Sequence, residues 1–91
     1  MKITDVRIRK VEGAGRMKAV ASVTFDNQFV VHEIRIIDGE KGLFIAMPSR
    51  KQADGTYIDV AHPINNNVRT ILQNTILDVY SREDAAEEEN A

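Results

Sequence analysis

Leu43 to Asn67 reads LFIAMPSRKQADGTYIDVAHPINNN, and the fold can be worked outward from it. An apolar strand, Leu43 to Met47, runs into a basic knuckle at Ser49-Arg50-Lys51. The pair Asp54-Gly55 marks a hairpin turn, because both residues tolerate the backbone angles a tight reversal needs. A second short strand, Tyr57 to Ala61, follows, and His62-Pro63-Ile64-Asn65 then opens a helix. Pro63 blocks extension of that helix backwards, and Asn65 is the expected N-cap, its amide oxygen accepting an N–H from the first turn.

Downstream, Ile64, Val68, Ile71, Leu72, Thr75, Ile76, Val79 and Tyr80 recur at three- and four-residue spacing. They predict one apolar stripe on a helix of about 65–82. Asn66, Asn67, Arg69, Thr70, Gln73, Asn74 and Asp78 occupy the opposite face. Upstream the period changes to two. Val6 and Ile8 alternate with Arg7 and Arg9, and Met17, Ala19, Ala21, Val23 and Phe25 alternate with Lys18, Val20, Ser22 and Thr24. Asp26-Asn27 fits a tight turn into a third strand, Gln28 to Ile37, and Gly42 precedes the fourth. The predicted class is α+β, an antiparallel meander of about five strands followed by one C-terminal amphipathic helix.

The third and fourth strands are apolar on both faces. Val30, Ile34 and Ile36 oppose Phe29, Val31 and Ile37, and Leu43 to Met47 has no polar side chain. One helix covers one face, so a second copy is expected to cover the other. The predicted homodimer joins through the sheet at Val31, Ile37, Leu43, Phe44 and Ile45.

Ninety-one residues make a single domain, assigned here to 1–82, with an acidic, disordered tail at 83–91. The tail holds five acids and no base, so a formal net charge of −2 conceals a body of +3, with twelve bases against nine acids. That layout recurs in proteins that meet polyanions. The absence of cysteine excludes disulfides and thiolate chemistry and fits a cytoplasmic location. No apolar run reaches membrane-spanning length, so no membrane partner is expected.

The groups fit for anion binding cluster in the opening segment. Arg50 and Lys51 lie beyond an apolar strand, and Arg69 is one turn into the helix with Gln73 rather than an acid at the next turn. Asn66, Asn67, Thr70 and Gln73 can hydrogen-bond phosphates or base edges, and helix-start N–H groups attract anions. Ser49, Arg50, Lys51, Asn66, Asn67, Arg69, Thr70 and Gln73 are therefore the candidate nucleic-acid contacts. The competing account for each is a solvated surface, with Arg50 or Lys51 bridging to Asp54 or Asp59. The sheet face carrying Arg7, Arg9 and Lys18 is a rival surface, disfavoured because Phe25 and Tyr80 fall on core faces and leave few aromatics for base stacking. His32 is expected as a hydrogen-bonded core or interface imidazole, and His62 as a corner residue. Two histidines without cysteine make no convincing zinc set, and there is no phosphate-binding glycine loop or nucleophile–base pair. No cofactor, metal site or enzymatic activity is expected.

The strings TDVRIRKV, GRMKAVASVTFDNQFVVHEIRIIDG, GLFIAMPSRK and DG-x-Y-x-D-V-AHPIN, in that order, closely resemble the bacterial stage V sporulation protein G (SpoVG) family from residue 4 to about residue 80. The resemblance implies a small dimeric regulator that binds DNA, and in some members RNA, influences gene expression and is linked to septation and sporulation. It implies nucleic-acid contacts at Arg50, Lys51, Asn66 and Arg69. Gln52-Ala53 and the run Asn65-Asn66-Asn67-Val68 depart from the family pattern, so a target sequence does not transfer. The alternative is a protein-interaction module of division or development with no direct nucleic-acid contact.

Overall fold

A computed structural model describes residues 1–13 and 15–82. Strands β1 (Ile3–Lys10), β2 (Met17–Phe25), β3 (Phe29–Gly39) and β4 (Gly42–Ala46) form one antiparallel sheet in chain order. Strands β5 (Ser49–Lys51) and β6 (Tyr57–Asp59) form a separate two-stranded ribbon, and helix α1 (Asn66–Asn90) ends the chain. The α+β layout is as expected, but the five-strand meander resolves into four strands plus a hairpin. Pro48 explains the break, since it cannot donate to a ladder and ends β4's pairing. The acidic tail assigned to 83–91 lies outside the described residues.

The β2–β3 turn works as its residues predict. Asp26 and Asn27 adopt left-handed angles (φ 52° and 53°), and the Gln28 N–H closes on the Phe25 carbonyl at 2.9 Å. β1 is pinned to the same corner by the Asp26 N–H donating to the Lys2 carbonyl (2.8 Å) and the Asn27 N–H donating to Thr4 Oγ1 (3.0 Å).

One face of the sheet packs under α1, whose contacts are with β1 and β4. Ala19, Ala21, Val23, Phe25, Ile34, Ile36, Ile45 and Met47 meet Leu72 and Ile76 there, and no buried side-chain polar atom among the described residues lacks a partner. Fully burying a side chain such as Ile34, Ile36 or Ile76 contributes about 1.5–3 kcal/mol, which a chain this small needs. The helix begins as predicted: Asn65 Oδ1 accepts the Val68 N–H at 2.8 Å. Its stripe is broader than the sheet can cover, so Ile64 and Ile71 stay exposed.

The strand faces differ from simple alternation at one point. Ala21 pairs with Ile34 but Val23 pairs with Val31, so β3 holds one extra residue opposite Ser22. Glu33 sits there in a left-handed conformation (φ 63°), the geometry of a β-bulge. The slip moves Val31 onto the helix-covered face with Ile34 and Ile36, and turns Val30 and His32 away from it. His32 is consequently exposed, sharing a 2.8 Å hydrogen bond with Ser22 Oγ, rather than sitting in the core.

The bulge also splits the expected dimer face. Val31 and Leu43 pack against the core cluster, and Ile45 is buried inside it. Ile37 and Phe44, which pair in register, point to the open face. Phe44 is only partly exposed and lies over Gly39, where an added methyl group would fall 2.7 Å from ring Cε1. The five residues therefore do not share one surface.

Candidate nucleic-acid interface

The basic knuckle is a strand. Ser49, Arg50 and Lys51 pair with Asp59, Ile58 and Tyr57, and the ladder is prolonged by the Val60 N–H donating to the Pro48 carbonyl at 2.7 Å. Successive strand residues point to opposite faces. Arg50 and Ile58 therefore project from one face of the ribbon, and Ser49, Lys51, Tyr57 and Asp59 from the other. Arg50 and Lys51 do not converge on a single phosphate; they straddle the ribbon.

The turn of the hairpin closes on itself. The Gln52 N–H donates to the Thr56 carbonyl (2.7 Å), and the Gly55 N–H, at a φ of 90°, donates to the Gln52 carbonyl (3.0 Å). Asp54 Oδ1 accepts both the Thr56 hydroxyl (2.7 Å) and the Thr56 N–H (3.0 Å). The hydroxyl first and the amide second hold the Asp54 carboxyl below its usual 3.8. Asp54 is thus engaged within the turn. Among the described residues neither Arg50 nor Lys51 makes an ion pair or side-chain hydrogen bond, and both are exposed. Exposed ion pairs contribute only about 0–1 kcal/mol, so nothing in stability calls for these two cations here.

Arg35 fixes the ribbon to the main sheet. From β3 its Nη2 donates to the Met47 carbonyl and to Ser49 Oγ, both at 3.3 Å. Sequence reading passed over Arg35, since nothing in IRI marks an arginine that reaches fourteen residues along the chain. Ser49 is accordingly occupied and half-buried.

At the helix start, Asn66, Asn67, Arg69 and Thr70 are exposed, and the first turn contains no acid. Gln73 has a different position: its Oε1 accepts the Ile45 N–H at 3.4 Å. β4 is an edge strand whose outward N–H groups need partners, so Gln73 docks the helix rather than facing outward. His62 donates from Nδ1 to the Pro63 carbonyl (3.0 Å), consistent with a corner role. Beside it lies an apolar cavity of about 180 Å³ walled by Phe25, Phe29, Val31, Val68 and Leu72. The described residues hold no cluster of three or more potential metal ligands, and no helix among them is long and apolar enough to cross a membrane.

The SpoVG family model matches residues 1–82. The chain belongs to the SpoVG family. It is 64% identical over 83 residues to a protein of Agathobacter rectalis, covering 91% of this chain and 95% of that one. It is 61% identical over 82 residues to one from Clostridium perfringens, covering 90% and 91%. It is 57% identical over 91 residues to one from Alkaliphilus oremlandii, covering 100% and 98%. All three bear the name "Putative septation protein SpoVG". The residues matched by the family model include every candidate contact.

Proposed function

We propose that this SpoVG protein is a cytoplasmic, dimeric, non-enzymatic regulator that binds DNA or RNA through the hairpin and the helix start, and acts in septation and sporulation. The septation link rests on the names of its relatives. The observation that carries nucleic-acid binding is the set of exposed cations without acidic partners: Arg50 and Lys51 on the ribbon, and Arg69 on a helix whose first turn has no acid. Asn66, Asn67 and Thr70 beside Arg69 add hydrogen-bonding groups for phosphate or base edges. Ser49 and Gln73 serve as supports, one for the ribbon and one for the helix.

Neutralising phosphates releases counterions, so binding weakens steeply with salt. Arg50→Ala combined with Lys51→Ala reduces the log–log salt slope by about 2, at a cost of two cationic contacts. Fluorescence anisotropy over a salt series measures it, alongside a melting curve. An unchanged slope with normal melting removes these residues from the interface.

The second copy covers apolar side chains that the protomer leaves bare. Ile64 is 91% exposed, Val60 65% and Phe29 64%, far more than the sheet residues first expected to pair. Large apolar side chains left this exposed favour association. Sedimentation of an Ile64→Asp variant tests this: a shift from dimer to monomer supports it, and an unchanged dimer places the contact elsewhere. The interaction-module reading, with the apolar sheet edge and the acidic tail as its contacts, predicts no salt-sensitive retention of any nucleic acid.

A further inference from the structure

The open face of the sheet carries three shallow depressions with shared walls. Arg9, Val20, Glu33 and Arg35 border one, Arg7, Arg9, Ser22 and Glu33 a second, and Glu33, Arg35, Ser49 and Tyr57 the third. Glu33 borders all three. They make one trough that crosses β1, β2 and β3 and ends against the ribbon.

The ribbon end has a distinctive set of groups. Tyr57 is 68% exposed and stands opposite Lys51 in register. Arg35 is held in place by its two acceptors. The Glu33 carboxylate rises from the bulge, and among the described residues no hydrogen bond or ion pair engages it. A phosphate would be repelled by that carboxylate. A nucleobase would not: its ring stacks on an exposed aromatic, and its exocyclic amino group donates to a carboxylate. Farther along the trough Arg9 has no partner among the described residues, while Arg7 is tied to Asp5 at 3.0 Å.

We propose that this trough is a single-strand path. One base stacks on Tyr57 and gives its amino N–H to Glu33, and the backbone runs on toward Arg9. The ligand class is therefore single-stranded nucleic acid with amino-bearing bases; thymine and uracil present carbonyl oxygens where the carboxylate lies. The proposal deepens the nucleic-acid reading and rests on it. A duplex keeps its bases stacked and paired, so it reaches Arg50, Lys51 and Arg69 but not the trough.

Anisotropy with labelled oligo-dC, oligo-dT and a mixed-sequence duplex at neutral pH tests this on the full chain. Oligo-dC is expected to bind about tenfold tighter than oligo-dT. Tyr57→Ala weakens oligo-dC about tenfold, Tyr57→Phe does not, and neither changes duplex binding. Glu33→Gln closes the gap between oligo-dC and oligo-dT. Equal binding of the two oligomers, or an oligo-dC affinity indifferent to Tyr57→Ala while duplex binding persists, overturns the trough alone. Failure of every nucleic acid to bind overturns the underlying reading as well.

Discussion

Arg35 joins the two sheets, and removing its guanidinium gives a sharp prediction. Arg35→Met keeps an aliphatic side chain across from Val20, its register partner, and loses both 3.3 Å bonds, to the Met47 carbonyl and to Ser49 Oγ. Hydrogen bonds from charged donors contribute about 1.5–3 kcal/mol at good geometry; at this length and half-burial about 1 kcal/mol each is the fitting figure. Together they come to about 2 kcal/mol, or about a thirtyfold rise in the equilibrium for lifting the ribbon off the sheet. Native-state hydrogen exchange reads this locally. The Val60 amide, bonded to Pro48, and the Gln52 amide, bonded to Thr56, report on the ribbon; Ala21, Ile34 and Ile36 report on the core. The ribbon amides should exchange about thirtyfold faster in the variant while the core amides change far less. Arg35→Lys, able to reach one acceptor, should show about fivefold. Uniform acceleration of all five amides, or no acceleration at Val60 and Gln52, would refute the idea that Arg35 holds the ribbon.

Asn65→Ala removes the N-cap bond to the Val68 N–H and should cost about 1 kcal/mol in urea unfolding, while Asn66→Ala, outside the cap position, should cost much less. Thr56→Val removes the first cause of the depressed Asp54 pKa, so an NMR titration should show that carboxyl moving up toward 3.8. The sign follows: a carboxyl depressed in the folded state stabilises above its unfolded pKa, and that contribution disappears as pH falls through the folded value. Acid unfolding below pH 3.8 should therefore depend less on Asp54 in the variant.

Much of this fold is legible in the sequence because local signals agree. Asn65 after Pro63, the helical spacing through Ile76, and Asp26-Asn27 between alternating strands each admit one physical reading, and each holds in the structure. The bulge was hidden because both registers of β3 are apolar: Val30 and Val31 are equally good core residues, so nothing in the side chains signals the extra residue at Glu33. The ribbon was hidden for another reason. Three-residue strands are too short to show a period, and SRK reads equally well as a basic loop. Once that strand forms, its pleat sends Arg50 and Lys51 to opposite faces of the ribbon.

Two-sided apolarity in β3 and β4 pointed to a second copy, and the structure divides that inference into parts. The helix covers Ile45, the bulge brings Val31 under the same cover, and Phe44 shields Gly39. Those residues answer needs within one protomer. Among the barest apolar side chains are Val60, just after the ribbon, and Ile64, just ahead of the helix. A partner copy seated there would set two ribbons and two helix starts side by side, whereas one paired through the open sheet face would bury Arg9, Glu33 and Tyr57. The open trough and the corner interface are thus mutually consistent, and a dimer built on Ile37 and Phe44 would exclude single-strand binding by the same face.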